Sequence, residues 1–170
     1  MAIQQPQDLF LLQLAEIYDI EQKLVQALLE LAQETQHHEA RQVFLEHEQE
    51  TRQHVRNIEQ CFQILGRQPV AVENYAVKGL KQDHDTFVQQ QQPPQDILTM
   101  FDLNAGSQGE YLEMAYYQSL IEAANNLGYH QCVPLFQQNL QQEMVAAQKL
   151  ATIAHELGQQ SQSLTGRGDS

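Results

Sequence analysis

Hydrophobic residues recur every three to four positions along four long stretches of the chain, and polar residues fill the positions between them. This spacing places the apolar side chains on one face of an α-helix. The stretches, which we name segments A to D, cover about 7–36, 38–66, 93–128 and 131–157. The pattern therefore predicts four long amphipathic helices.

Turn-forming and capping residues separate the four segments. Asp8 is placed to cap segment A or to act as an anion in its first turn. Gly66 and Gly128 are typical of residues that end a helix in the left-handed conformation, and we expect Gly158 to end segment D. A proline pair marks the front of segment C.

The lengths of the connections predict the topology. Segments A and B are joined by only a few residues, as are C and D, so each pair is expected to form an antiparallel hairpin. The connector between B and C, about 67–92, is longer and contains a weaker amphipathic stretch. The predicted fold is all-α: an antiparallel four-helix bundle with a long B–C crossover that contains a short extra helix.

The end of the chain differs in composition from the bundle. Residues 159–170 include the run SQSLTGRGDS, which is poor in apolar side chains. We therefore expect a bundle over 1–158 followed by a disordered tail. The RGD tripeptide matches an integrin-binding motif, and we interpret it as a chance match in this tail.

Charge and cysteine content narrow the possible partners and location. The net charge of −13 would repel phosphate groups, which argues against nucleic acid and anionic membranes as partners. The start of the chain lacks the features of a secretory signal, and no run approaches the roughly 18 apolar residues of a membrane span. Cys61 and Cys132 have no Cys-x-x-Cys spacing, so we expect buried free thiols. These features predict a cytoplasmic protein.

Acidic and imidazole side chains interrupt the apolar stripe of every segment. At about 100° per residue, glutamates fall in the middle of the stripes of A, C and D, and two histidines fall inside the stripe of B with glutamates at its edges. The candidate metal ligands chosen in this way are Glu21, His47, Glu50, His54, Glu110, Glu113 and Glu143.

Their depth along the predicted helices is also similar. Most of them lie about 14 to 18 residues from a hairpin tip, so side-by-side hairpins would place them in one layer at the middle of the bundle. A single glutamate at such a position would normally be a surface residue. Several buried together would repel one another at a cost of several kcal/mol unless cations lay between them.

Metal ions are the natural counter-charge for this layer. The few lysines and arginines fall mostly away from the core stripes, whereas a pair of divalent or trivalent ions would neutralise the carboxylates. Imidazole together with carboxylate favours iron or manganese over calcium and leaves zinc open. His54, one turn after Glu50, is a better ligand candidate than His47. Tyr18 and Tyr117 lie one turn from these positions and are candidates for hydrogen bonds to the ligands.

Several motifs resemble the ferritin-like superfamily and, within it, the YciE/YciF-type bacterial stress proteins. The resemblance covers about 7–157. It implies a ferritin-like bundle, a homodimer, a dinuclear metal centre and a role linked to stress. The matching motifs are DLFLLQLAEIYDIEQKL with Glu21, then His47, Thr51 and the pair His54-Val55, then GEYLEMAYY with Glu110 and Glu113, and finally LQQEMVAAQKL with Glu143.

The sequence also departs from the ferritin-like ligand pattern. Glu50 stands four residues before His54, where the pattern has Glu-x-x-His, and Ala146 stands where a histidine would follow Glu143 by three residues. Tyr111 replaces a polar residue that is common in relatives. One metal ion or an asymmetric pair therefore remains an alternative to a full six-ligand site.

Two functional hypotheses follow. In the first, the protein is a di-iron or di-manganese oxidoreductase that consumes oxygen or peroxide; its catalytic residues are not assigned. In the second, the metal layer only stabilises a structural or interaction module. Further apolar residues on segment A form a second face that favours a homodimer. They are Leu9, Leu12, Ile20 and Ala27.

Overall fold

The computed structural model describes residues 3–165, with side chains as far as 160, and consists of five helices. Helix α1 spans Pro6–Glu34, α2 His38–Ile64, α3 Tyr75–Gln91, α4 Gln95–Leu127 and α5 Val133–Thr165. Helices α1, α2, α4 and α5 correspond to segments A to D, and α3 is the expected short helix of the crossover. The fold is the predicted ferritin-like antiparallel four-helix bundle.

The helix ends follow from local chemistry. Asp8 accepts hydrogen bonds from the backbone N–H groups of Gln4 and Gln5, both at 3.0 Å, so it satisfies free donors at the start of α1. At their C-terminal ends, α2 and α4 are followed by Gly66 and Gly128 with φ of 67° and 76°. These values lie in the left-handed region that glycine adopts without steric cost.

Two apolar clusters form the core, one on each side of a polar layer. The first includes Phe10, Ile17, Ile58, Tyr117 and Phe136. The second is smaller and comprises Leu28, Leu31, Ala32, Ala40, Phe44, Leu103, Leu150 and Ile153. On each of the four long helices, the acidic or imidazole residues predicted as ligands lie between residues of these two clusters. The layer is therefore at mid-bundle, as the distances from the hairpin tips predicted.

The crossover covers the outer face of α1 that the sequence assigned to a dimer contact. The Val72 N–H donates to the Ala15 carbonyl at 3.1 Å, and Ile20 is fully buried in the same cluster as Val77 of α3. The assignment of Ile20 to a second exposed face is therefore wrong, because the chain's own connector buries it. Leu9 is 48 % exposed.

The two cysteines form a disulfide, so the prediction of free thiols is wrong. Cys61 lies in the last turn of α2 and Cys132 just before α5, with their Cα atoms 5.4 Å apart. Both are buried in the first apolar cluster. The residues are 71 positions apart in sequence, and only the packing of the two hairpins brings them together. The cytoplasmic location, which depended partly on free thiols, stays a prediction.

The last helix is longer than predicted. Helix α5 continues through Gly158 to Thr165, so the predicted end at Gly158 and the start of a disordered tail at 159 are wrong. Gly158 does not adopt a positive φ, and the helix passes through it without interruption. The RGD tripeptide lies in 166–170, outside the described residues. Over the described part of the chain, no helix is both long and apolar enough to cross a bilayer.

Candidate metal centre

Six of the seven predicted ligands meet in the polar layer. They form two groups whose ligand atoms lie within 4.8 Å of one another: Glu21, His54 and Glu143 in one, and His47, Glu110, Glu113 and Glu143 in the other. All six side chains are buried. Helix α2 supplies both imidazoles, α4 supplies two carboxylates one turn apart, and α1 and α5 supply one carboxylate each.

Glu143 belongs to both groups and connects them. Its Oε1 lies 2.8 Å from Nδ1 of His54, and its Oε2 lies 3.1 Å from Nε2 of His47. The two imidazole rings are 6.1 Å apart between centroids. One carboxylate that presents a different oxygen to each imidazole has the arrangement of a ligand that bridges two metal ions.

The carboxylate oxygens of this layer are short of hydrogen-bond donors. Buried oxygens of Glu21, Glu110, Glu113 and Glu143 have no aligned hydrogen-bond partner, although nitrogens of the two histidines approach some of them closely. In the described part of the chain, none of these four carboxylates forms an ion pair with a lysine or an arginine. Buried polar atoms normally have partners, and a cation in this layer could supply them.

Each imidazole has an acceptor on the side that faces away from the carboxylates. His47 Nδ1 lies 3.1 Å from Oε2 of Glu50, and His54 Nε2 lies 2.9 Å from Oε1 of Gln142. A proton on each of these outer nitrogens would leave a lone pair directed at the carboxylate layer. This is the usual way in which proteins fix the orientation and tautomer of a metal-binding histidine.

A chain of hydrogen bonds from uncharged side chains orients Glu21. The Tyr117 hydroxyl donates to Glu21 and accepts from the Asn139 side-chain amide at 2.9 Å. The Asn57 amide in turn donates to Oδ1 of Asn139 at 2.7 Å. Tyr117 therefore contacts a candidate ligand, as predicted, whereas Tyr18 donates to Glu59 at 2.8 Å and does not.

Burial and mutual repulsion control the protonation of the layer. Burial raises the pKa of Glu113 well above its usual range, and the charges of Glu143 and Glu21 raise it further. Burial also opposes ionisation of Glu143, but its close contacts with Glu110, His47 and His54 outweigh burial and lower its pKa.

The pKa values of the two histidines are also raised, although burial alone would lower them. Burial favours the neutral imidazole of His54, but Glu21 and Glu143 outweigh it and raise its pKa to about 10. Burial likewise favours the neutral imidazole of His47. The neighbouring carboxylates, Glu110 above all, outweigh burial and raise the pKa of His47 well above its usual range. The layer therefore holds protons unless a cation replaces them.

The donor set fits two first-row transition-metal ions. Four carboxylates carry four negative charges, which match the four positive charges of two divalent ions when both histidines are neutral. One nitrogen and several oxygens at each position suit iron or manganese, and zinc is also compatible.

Glu50 occupies a different position from the one predicted. It is in neither ligand group, its side chain is 30 % exposed, and it contacts the outer nitrogen of His47. Thr51 takes the inward position beside it and donates to the His47 carbonyl at 2.8 Å. His47, which the sequence ranked below His54, is within contact distance of Glu110 and Glu143.

The residues that support the ligands were partly missed. Gln142 gives no signal in the sequence, because a glutamine beside a buried glutamate is ordinary on a helix surface. Asn139 is one turn before Glu143 and fully buried, so extending the core stripe of segment D by one position would have found it.

A cavity of about 620 Å³ leads from the surface towards one side of the layer. It lies between α1, α3 and α4, and its walls include Leu24, Ala27, Val77 and Gly109. His47, Glu110 and Glu113 line it as well, whereas Glu21, His54 and Glu143 do not. One candidate metal position is therefore closer to the cavity than the other.

The fold and the layer together define a ferritin-like four-helix bundle with a candidate carboxylate and histidine metal centre. Residues 5–163 match the family described as domain of unknown function DUF892, and the chain belongs to this family. Among curated proteins, it is 25 % identical over 149 residues to the protein YciF of Escherichia coli K12, covering 87 % of this chain and 89 % of YciF.

Solved structures agree with this assignment. The E. coli stress protein YciF has a TM-score of 0.84 at 24 % identity, covering 92 % of this chain and 99 % of that chain. YcfI from Rhodopseudomonas palustris, for which a structural role has been suggested, has a TM-score of 0.86 at 29 % identity, covering 88 % of this chain and 95 % of that chain. The chain is thus similar to YciF-type proteins over most of its length.

Proposed function

We propose that this protein is a dimetal-carboxylate protein that contributes to stress protection by consuming oxygen or peroxide. The observation that carries the proposal is the position of Glu143, whose two oxygens face two different imidazoles in a layer of four buried carboxylates. Bound iron or manganese would supply the reversible electron transfer that such a reaction requires.

The side chains of the layer would hold and orient the ions. Glu21 and His54 would bind one ion, His47, Glu110 and Glu113 the other, and Glu143 both. Glu50 and Gln142, as hydrogen-bond acceptors, would keep the outer nitrogens of the two imidazoles protonated. The Tyr117 hydroxyl would hold Glu21 in place. Such supporting contacts typically change metal affinity by about 10- to 100-fold.

The cavity would give a small oxidant access to the centre. Its walls are mainly apolar, and Glu110 and Glu113 of the polar layer are among the residues that line it. Dioxygen and hydrogen peroxide are small and uncharged, so the negative charge of the protein would not repel them. A larger anionic substrate would meet both that charge and the buried carboxylates.

A structural or interaction module is the second candidate. Ala146 is buried on α5, where the ferritin-like pattern has a histidine three residues after the glutamate. Glu50 lies outside the ligand groups. Both departures weaken the resemblance to oxidases. In this hypothesis the ions would cancel the repulsion in the layer, and the protein would bind metal without turnover.

The decisive experiment measures metal content and peroxide consumption on the same protein. Protein purified without chelator is analysed for iron, manganese and zinc, then reduced anaerobically and mixed with hydrogen peroxide in a stopped-flow spectrophotometer. The proposal predicts about two ions per chain and peroxide consumption that is lost in Glu143→Gln. Glu122→Gln, an exposed substitution on α4, is the matched control.

The outcomes separate the hypotheses. Two ions and no consumption would support the structural module. Protein that binds no iron, manganese or zinc after anaerobic loading would refute both hypotheses. Consumption that survives Glu143→Gln would show that the chemistry occurs elsewhere in the protein.

We also propose a homodimer, as the family resemblance implies, and the cytoplasmic location that the sequence predicts. The part of α1 that the crossover leaves exposed, around Leu9, is the available apolar surface on that helix. Sedimentation velocity of the full chain tests the assembly, and a monomer over the micromolar range would contradict it. Fractionation of cells from the source organism tests the location.

A further inference from the structure

A second cluster of ligand-type side chains lies at the junction of α1, α3 and α4. Glu34 is the last residue of α1, His84 is on the inner face of α3, and Asp102 is on α4. One ligand atom from each lies within 4.8 Å of the other two. Asp102 is eight residues before Glu110 on the same helix, or about 12 Å along its axis, so this cluster is separate from the central layer.

Asp102 is the residue that suggests a ligand. It is fully buried, its Oδ1 lies 2.9 Å from Nε2 of His84, and its Oδ2 has no hydrogen-bond partner. A simple ion pair between His84 and Asp102 would explain the first contact but would leave a buried carboxylate oxygen unsatisfied. A cation beside His84 would satisfy it.

The surroundings of His84 resemble those of the central histidines. Its Nε2 faces a second carboxylate, Oε2 of Glu34, at 3.9 Å, as Nε2 of His47 faces both Glu110 and Glu143. Its Nδ1 faces Oδ1 of Asp85 at 3.6 Å. Its ring stacks on Phe101 at 5.6 Å between centroids, which fixes the plane of the imidazole.

Two of the three elements, α1 and α4, are held together independently of these side chains. The Gln95 amide donates to the Glu34 carbonyl at 2.8 Å, and the hydroxyl groups of Thr35 and Thr99 are 3.1 Å apart. These bonds join the end of α1 to the start of α4, so Glu34 and Asp102 are positioned by the backbone before α3 contributes His84.

His84 is one of the two buried side chains within the described length of α3, and Val77 is the other. The helix also forms one wall of the cavity that leads to the central layer, through residues that include Val77, Leu80 and His84. A ligand that joined His84 to the other two helices would therefore fix that wall.

We propose that Glu34, His84 and Asp102 form a separate mononuclear site for a divalent first-row transition-metal ion, which anchors α3 over the cavity. One imidazole nitrogen and two carboxylates suit zinc, iron or manganese better than calcium or magnesium. The site does not depend on the central layer being filled. Its function is to hold the cavity wall in place.

Zinc is the probe, because it is redox-inactive and binds nitrogen and oxygen ligands. Hydrogen exchange of the amides in 75–91 is followed by mass spectrometry in the full chain with and without Zn²⁺. At free Zn²⁺ about ten times the dissociation constant, linkage predicts about tenfold slower exchange in α3. Zinc content after gel filtration should be about one equivalent higher than the central layer alone holds.

Three variants locate the effect. Asp102→Asn keeps the shape of the buried side chain, and Glu34→Gln alters a partly exposed one, so at least the second should fold normally. In both, we expect the zinc-dependent slowing to vanish and one zinc equivalent to be lost. His38→Gln, an exposed histidine at the start of α2, should behave as the wild type.

A central-layer variant separates this proposal from the proposed function. Glu113→Gln should lose metal from the centre but keep the zinc effect on α3. If α3 in the wild type exchanges equally fast with and without Zn²⁺, or if Glu34→Gln retains the full effect, the second site is refuted whatever the central layer binds.

Discussion

Replacing Glu113 by Gln should stabilise the metal-free protein. Burial and neighbouring carboxylates raise the pKa of Glu113 well above the ordinary 4.5. The unfolded chain releases this proton near pH 4.5 and the folded chain only at higher pH, so the group destabilises the fold increasingly as pH rises through that window. A glutamine resembles the protonated side chain and removes this penalty.

The size of the effect follows from the pH. In the unfolded chain, this carboxyl has a pKa of 4.5, which is about 2.5 units below pH 7. Each unit corresponds to about 1.36 kcal/mol, so keeping the carboxyl neutral in the folded protein at pH 7 costs at most about 3 kcal/mol of stability. For a chain of this length, that is roughly 6–12 °C in melting temperature. The gain should shrink towards zero as the pH is lowered to about 4.5.

Bound metal should cancel most of the stability advantage of Glu113→Gln. Each ion at about 100 times its dissociation constant stabilises the fold by about 2.7 kcal/mol, so two ions give the wild type about 5 kcal/mol. The variant keeps the position formed by Glu21, His54 and Glu143 and should gain only about half of this. The difference in stability that favours Glu113→Gln without metal should therefore nearly disappear with metal.

Thermal unfolding followed by circular dichroism at 222 nm measures both effects. Chelator-treated protein is compared with protein loaded with Mn²⁺, at pH 7 and at pH 5, for the wild type, Glu113→Gln and the exposed control Glu122→Gln. The reasoning is refuted if metal-free Glu113→Gln melts below the metal-free wild type, or if Mn²⁺ stabilises both proteins equally.

Three further predictions concern other parts of the structure. Replacing Cys61 and Cys132 together by Ser should cost about 4 kcal/mol in urea unfolding, because the disulfide closes a loop of 71 residues; an unchanged midpoint would contradict this. Asn139→Ala should cost about 1–3 kcal/mol in urea unfolding, since it leaves the buried amide of Asn57 without its acceptor; an unchanged stability would contradict this. Gly109→Leu should fill part of the cavity beside α1 and slow peroxide consumption at constant metal content; an unchanged rate would exclude this route.

The sequence predicted the central layer because two regular quantities define it. The 3.6-residue period determines which face of a helix carries Glu21, Glu113 or Glu143, and the distance from a hairpin tip determines its depth. Neither quantity requires knowledge of a partner residue. Buried glutamates at matching depths on separate helices were therefore a sufficient signal for the site.

Other features depend on contacts that no local pattern contains. Glu50 lies at the edge of the apolar stripe of α2, and the packing of neighbouring helices determines whether such an edge residue points inwards. Cys61 and Cys132 meet only after the two hairpins dock. Ile20 is buried by the path of the crossover, which the spacing of apolar residues does not determine. These predictions failed for the same physical reason.

The same limit applies to His84 and Asp102. Each is unremarkable on its own helix, and they become a pair only when α3 lies against α4. A histidine that is one of the two buried residues of an otherwise exposed helix could have been noticed from the amphipathic stretch, but its partner could not.

The arrangement of charge around the cavity favours turnover over a purely structural role. The metal position that lines the cavity has three carboxylates, Glu110, Glu113 and Glu143, whereas the position away from it has two. More negative ligands stabilise a more highly charged ion, so the ion nearer the cavity would be the easier one to oxidise. A purely structural layer would gain nothing from this placement, whereas His47, Glu110, Glu113 and Glu143 would hold a redox-active ion on the side that an oxidant could reach through the cavity.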